Sequence, residues 1–481
     1  MMHPLLDEFE KTCAERMDQP AACDPSLALD FKSFRAVACG LAAQIESQSE
    51  QPRVGILAPT SSACAAAIFA CWYAGKTPVP LNFLLAPEEL AKIVRDAGLD
   101  LIVTIERFAP AVEKTGLKLL QLSARSLIPG RRAAPEAAFE DVAVLLYTSG
   151  TSGDPKGVCL TFRNLLENAH ACIQHARISP EQVFLSVLPQ FHSFGFTVMT
   201  VAPLLLGATG HYLPRFSPVA VASTIAEKGV SVFIAIPSMY AVLANMKKAD
   251  RDTYASITLA VCGGEPLPPR VAAAFFERFG VQLLEGYGLT ETSPVVSLNT
   301  PWAFRAGSVG MTLPGIEITA VDESGATLPA GKDGELLIRG HCVMQGYHNK
   351  PDATAAMLRD GALWTGDIGH VDADGFVFIT GRAKDMMIVG GENVYPVEIE
   401  NVLMEHAAVA EAAVVGMTDE VRGELPLAFV ILKQDLTTDE TELRNFCRAR
   451  LAGFKVPREI RFAKDLPRGP TGKILKRALK G

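Results

Sequence analysis

Between residues 54 and 285 the chain alternates short runs of uniformly apolar residues with longer helix-favouring stretches. The apolar runs fall at 54–58, 78–81, 101–104, 142–147, 183–188, 230–236, 259–262 and 281–284, and an Ala-rich helix is expected over 61–74. A strand with one wet face reads as apolar–polar alternation, and these runs do not alternate. They therefore read as strands buried on both faces, the habit of a parallel sheet covered by helices. That pattern predicts an α/β fold built as layered subdomains. With 481 residues the chain is too long for one core, so two to four domains or subdomains are expected. After Pro301 the texture changes to turns bearing Gly and Asp at 322–325, 331–334 and 372–375, between strands such as 336–339 and 376–380. This predicts a smaller β-rich subdomain. A compact α+β piece follows, with helices at 396–404 and 439–450, strands at 412–416 and 428–432, and a basic segment at 468–480. We place a boundary at 381–384, which divides the chain into 1–380 and a small C-terminal domain at 385–481.

Composition narrows the function classes. A formal net charge of −8 lacks the broad positive field that non-specific nucleic-acid binding needs. The ten cysteines include no CxxC pair, and no HExxH or zinc-like Cys/His spacing occurs, so reduced buried thiols and no structural metal are expected. Residues 1–17 carry Asp7, Glu8 and Glu10 without an apolar run, which does not suit a signal peptide. The apolar stretches 63–74 and 194–206 fall short of the ~18 to 20 residues that span a bilayer, and both are read as buried helices. A cytoplasmic protein is expected, with peripheral membrane contact left open.

The densest chemical signal is Tyr147-Thr-Ser-Gly-Thr-Ser-Gly-Asp-Pro-Lys-Gly157, directly after an apolar run. Thr148, Ser149, Thr151 and Ser152 supply hydroxyls, Gly150 and Gly153 open the backbone, and Lys156 brings a positive charge. Such a loop surrounds a phosphate with donors. The spacing is not that of a Walker A loop. A Gly/Ser turn joining a strand to a helix is the plainer alternative.

This run resembles the substrate-binding signature of the acyl/aryl-adenylate-forming superfamily, which includes acyl-CoA synthetases, luciferases and peptide-synthetase adenylation domains. Gly286-Tyr-Gly-Leu-Thr-Glu291, Trp364-Thr-Gly-Asp367, Gly381-Arg-Ala-Lys-Asp385 with Gly390-Gly391, and Pro470-Thr-Gly-Lys473 are similar to its later motifs, and they come in the same order. The resemblance implies ATP-dependent activation of a carboxylic acid as acyl-AMP, with Mg²⁺, followed by transfer to a thiol. It implies that Lys473 bridges the carboxylate and the α-phosphate, that Thr290 donates to that phosphate, and that Glu291 holds the metal. Asp367 and Arg382 are assigned to the ribose. Tyr287 is assigned to the adenine, with Gly286 and Gly288 beside it and Gly263, Gly264 and Glu265 lining its other side. Lys384 marks the hinge, about which the C-terminal domain first presents Lys473 and then Gly390 and Gly391 to the thiol. Attack of one anion on another needs this neutralisation and alignment.

The segment Pro189-Gln-Phe-His192-Ser-Phe-Gly-Phe196 resembles the start of the family's acid pocket. His192 stands where amino-acid-activating relatives carry Asp, and it is read as a wall beside the acyl group. With no carrier domain after residue 481, a peptide-synthetase module is not expected. The run 284–299 is similar to fatty-acid-activating members, including the synthetase half of acyl-acyl carrier protein synthetases. The expected acceptor is coenzyme A, with carrier-protein phosphopantetheine as the alternative. An aryl-CoA ligase, a fatty acyl-AMP ligase, a luciferase-like oxygenase and a non-enzymatic nucleotide-binding scaffold are the competing readings.

Overall fold

A computed structural model describes residues 3–148, 155–389, 392–419, 423–468 and 474–479. It divides into two compact units: Met1–Leu267, Val271–Glu317 and Arg339–Leu363 form the first, and Pro268–Arg270, Ile318–Ile338 and Trp364–Gly481 form the second. The layered α/β class and the small α+β C-terminal piece are as expected.

The first unit holds two parallel sheets. In the smaller one, Arg53–Leu57 runs between Thr77–Pro80 and Leu101–Thr104, and Lys118–Gln121 closes the edge. The helix Ser62–Tyr73 follows, capped by Ser61, whose hydroxyl accepts from the Cys64 N–H. Every residue of it but Ala63 is buried, so it is apolar all round rather than on one face. Phe69 packs edge-on against Phe34 and Trp72, which ties the helix to its neighbours.

The larger sheet has nine strands. Its middle runs parallel in the order Leu283–Gly288, Leu259–Cys262, Val232–Ala235, Val183–Ser186, Thr209–Tyr212 and Pro20–Cys23. One face is covered by a core that includes Val221, Tyr240 and Phe275, and the other by a core that includes Cys172, Val198 and Met199. Burial on both faces is why these strands read as unbroken apolar runs.

One expectation needs correction, and another is met with a refinement. The run 142–147 does not join a parallel sheet. Val142–Thr148 pairs antiparallel with Lys156–Thr161, which pairs antiparallel with Gly346–Tyr347. The phosphate-type loop therefore connects two strands and not a strand to a helix, and Lys156 begins the second strand, opposite Thr148. The stretch 194–206 is buried and helical, but Phe194–Val201 is wound as a π-helix before Ala202–Leu206 continues as an α-helix. Gly195 lets that winding begin, because a Cβ there would lie 2.2 Å from the Pro189 carbonyl oxygen.

In the second unit, Ala362–Val371 pairs antiparallel with Val377–Arg382. The C-terminal part is a mixed sheet in which Gly423–Leu432 lies between Met387–Val389 and Val409–Asp419, with Glu459–Phe462 added in parallel. The helices Pro396–Glu405 and Glu440–Arg448 contribute Ile399, Leu403, Leu443 and Cys447 to its core. One ion pair lies at that core. The Lys476 ammonium is 2.7 Å from Oε1 of Glu400, and the same oxygen accepts from the Val414 N–H at 2.6 Å. Among the described residues, no helix is long and apolar enough to cross a membrane.

Candidate active site

In the large sheet, the C-terminal ends of neighbouring parallel strands release the segments singled out from sequence. Gly263–Glu265 leaves Leu259–Cys262, Gly286–Gly288 ends its own strand, and Pro189–His192 follows Val183–Ser186. Ligands of doubly wound sheets bind at this edge, where loops diverge over the carboxyl ends of the strands. The segments also meet. A Cβ on Gly263 would lie 3.2 Å from the Phe194 ring and 3.3 Å from the Gly286 carbonyl oxygen. Gly288 has a structural reason to be glycine besides any ligand, since a Cβ there would lie 1.9 Å from the Pro294 carbonyl oxygen. His192 Nδ1 accepts the Phe194 N–H at 3.3 Å, so its ring is oriented by the start of the π-helix.

Thr290 and Glu291 sit on a single 3₁₀ turn, Thr290–Thr292. The Thr290 hydroxyl lies 3.3 Å from that of Ser193. Oε1 of Glu291 accepts from the Tyr347 hydroxyl at 2.7 Å, and the ammonium of Lys156 lies 5.0 Å from the centroid of the same tyrosine ring. Lys156 thus belongs to one constellation with Thr290 and Glu291, which are remote from it in sequence.

The second unit supplies its own polar pair. Asp367 and Arg382 face each other across the antiparallel ladder, and Nε of Arg382 is 2.8 Å from Oδ1 of Asp367. The Asp367 side chain is 3% exposed and that of Arg382 46%, so a buried carboxylate is neutralised by a cation that reaches solvent. The strand is held at this point by the Thr365 hydroxyl, which accepts the Asp367 N–H at 3.0 Å and donates to the Leu336 carbonyl at 2.7 Å. Partial desolvation followed by the Arg382 charge lowers the pKa of Lys384, against the pull of Asp385 and Asp367.

A model of the AMP-binding enzyme family matches residues 9–348, and one of the AMP-binding enzyme C-terminal domain matches residues 398–473. The chain belongs to the AMP-binding enzyme family. It is 38% identical to a long-chain-fatty-acid–CoA ligase of Bacillus subtilis, over 84% of this chain and 70% of that one. It is 35% identical to a feruloyl-CoA synthase of an Amycolatopsis species, over 88% and 87% of the two chains. Among solved structures, o-succinylbenzoate coenzyme A synthetase of Bacillus subtilis with ATP and magnesium superposes with a TM-score of 0.87 at 29% identity, covering 98% of this chain and 99% of that one. The chain is accordingly an AMP-forming ligase of the acyl-CoA synthetase type.

Within this enzyme the residues suit Mg²⁺. The ion takes hard oxygen ligands and is commonly held by one or two carboxylates together with substrate phosphates. Glu291 has Oε1 engaged by a phenol, and a carboxylate carries a second oxygen with which to take a cation. No group of three or more His, Cys, Asp or Glu gathers among the described residues, and Mg²⁺ bound on phosphates does not need one.

Of the sequence-derived site, Ser149, Gly150, Thr151, Ser152, Gly153, Gly390, Gly391 and Lys473 lie outside the described residues. Sequence reasoning missed Tyr347 and Ser193. Ser193 lay inside a segment already singled out for the acid. Tyr347 follows Gly346 in a two-residue strand, and nothing local marks it as a partner of Glu291.

Glu285 was also missed as a separate element. It precedes Gly286 on its strand, and its Oε1 accepts the Leu267 N–H at 3.0 Å, which ties that strand to the loop that starts at Gly263. Burial raises its pKa from 4.5 to about 7, with the Leu267 hydrogen bond opposing. The unfolded chain ionises near 4.5 while the fold still holds the proton. This group therefore costs stability progressively between about pH 4.5 and 7, with the full penalty above 7. Glu285→Gln keeps an acceptor for Leu267 and removes the charge. Thermal melts from pH 5 to 8 should show the variant gaining on the parent as pH rises to about 7, and a constant difference would remove Glu285 as the cause.

Proposed function

We propose that this enzyme activates a fatty acid with ATP and passes the acyl group to coenzyme A. The observation that carries this reading is the meeting of the Gly263, Gly286 and Phe194 segments at the C-terminal edge of the large sheet. In this reading the adenine loops and the acid segment are neighbours, and the closeness of Gly263 to both Phe194 and Gly286 supports it. Phe194–Val201 presents Phe, Thr, Val and Met with no charge, and Phe196 packs edge-on against Trp72. An apolar wall of this kind suits an alkyl chain. The fatty-acid reading is supported by the relative at 38% identity, whose name carries that substrate and coenzyme A.

In this reading Lys156 and the loop 149–153 bind phosphate, Thr290 donates to the α-phosphate, and Glu291 takes Mg²⁺. Asp367 accepts from the ribose hydroxyls with Arg382 beside it. Tyr287 stacks on adenine between Gly286–Gly288 and Gly263–Glu265, and His192 lies beside the acyl group. Lys473 bridges carboxylate and α-phosphate. The C-terminal domain, from 385 onward, turns about 381–384 so that Lys473 serves adenylation and the Gly390–Gly391 segment serves the thiol. Magnesium, when bound, neutralises phosphate charge. What the chain itself does is hold two anions in line and desolvate them.

A second reading, an aryl acid substrate, is favoured by the feruloyl-CoA synthase, which is matched over a larger share of both chains. Acid-dependent ATP–pyrophosphate exchange without thiol separates the two. Exchange with medium or long fatty acids and little with cinnamates or benzoates is expected, and the reverse order would replace the proposed substrate class.

A further inference from the structure

Tyr347 is placed by three independent constraints. Its backbone pairs with Val158, two residues beyond Lys156 on the adjacent strand, so the Lys156 side chain emerges on the same face of that strand. Its N–H donates to the Thr354 hydroxyl at 2.9 Å. Three residues earlier, the Met344 N–H donates to the Glu291 carbonyl at 2.9 Å, which fixes the turn bearing Glu291 against this strand. The residue is 7% exposed, and a phenol at that burial needs a polar partner, which Oε1 of Glu291 provides at 2.7 Å. The ammonium of Lys156 stands over the ring at 5.0 Å from its centroid.

A cation, an aromatic ring and a carboxylate thus stand in a row. A lysine and a glutamate assigned to opposite charges of one ligand would, if adjacent, neutralise each other when the ligand leaves. Each new ligand would then have to break that pair and resolvate it. The ring satisfies both groups by weaker contacts that do not cancel their charges. The hydroxyl also fixes which carboxylate oxygen is engaged and so how the other is aimed.

We propose that Tyr347 is a positioning residue that keeps Lys156 and Glu291 apart and aligned for a metal–nucleoside triphosphate complex. This rests on the reading of Glu291 as the metal carboxylate.

The test uses the full chain, with Tyr347→Phe, Tyr347→Ala and Glu291→Gln as variants. Binding of Mn²⁺ in the presence of a non-hydrolysable ATP analogue is followed by electron paramagnetic resonance, and binding of the metal-free analogue by calorimetry. Tyr347→Phe keeps the ring over Lys156. It should weaken Mn²⁺–nucleotide binding about tenfold, the scale of one hydrogen bond to a charged group, with metal-free binding unchanged. Tyr347→Ala should weaken both, because Lys156 and Glu291 are then free to pair. A purely structural role would lower the melting temperature without separating the two affinities. Loss of metal binding in Glu291→Gln but not in Tyr347→Phe overturns the positioning role. Unchanged metal binding in Glu291→Gln overturns the metal assignment, and the positioning role with it.

Discussion

Asp367→Ala should lower kcat/KM for ATP by about 10³-fold while leaving the protein folded. The size follows from two ribose hydroxyls each donating to an ionised acceptor, at roughly 1.5–3 kcal/mol apiece. The fold survives because the stranded partner, Arg382, is 46% exposed and its guanidinium can solvate. A lost fold and a lost contact are told apart by the nucleotide. The parent should discriminate strongly between ATP and 2′,3′-dideoxy-ATP, and the variant should scarcely do so. A variant that keeps the parent's discrimination removes Asp367 from the ribose, whatever its overall rate.

The other large effect belongs to Lys473. It lies outside the described residues, between two segments that pair with each other. Arg468 and Ile474 form an antiparallel bridge, and the Leu475 N–H donates to the Pro467 carbonyl at 2.7 Å. Lys473→Ala should reduce acid-dependent ATP–pyrophosphate exchange by about 10² to 10³-fold, the usual loss when one preorganised donor to a developing charge is removed. Synthesis of acyl-CoA from a supplied acyl-adenylate should continue near the parent rate, since no phosphate is attacked in that step. Equal loss in both half-reactions would argue against a residue used in only one, and unchanged exchange would dismiss it altogether.

What could be read from the chain beforehand follows a physical division. Strands such as Leu101–Thr104 and Leu259–Cys262 were legible because burial on both faces leaves an apolar run with no polar interruption. The same argument misplaced Val142–Thr148. Apolarity reports burial but not strand direction, and its partner Lys156–Thr161 lies beyond a polar loop. The residues of the site were legible where the chemistry is local, as in Gly286–Glu291 or Trp364–Asp367. The contacts that organise them were not. The Tyr347–Glu291 hydrogen bond spans 56 residues and that of Leu267 with Glu285 spans 18. No period or propensity encodes contacts that only the closed fold creates. The π-helix escaped for a different reason. Its apolar residues satisfy an α-helix equally well, and only the close approach of Gly195 to Pro189 sets its start apart.

The Glu400–Lys476 pair bears on how the C-terminal part of the molecule comes undone. A short 3₁₀ turn such as Lys476–Ala478 ordinarily opens on its own, at almost no cost. Here opening would withdraw the cation from a carboxylate that is 8% exposed and leave that charge stranded against the core. The turn and the helix Pro396–Glu405 therefore open together or stay closed together. Residues far apart in the sequence are merged into one cooperative unit, in which the Lys476–Ala478 turn takes its steadiness from a glutamate of the helix Pro396–Glu405.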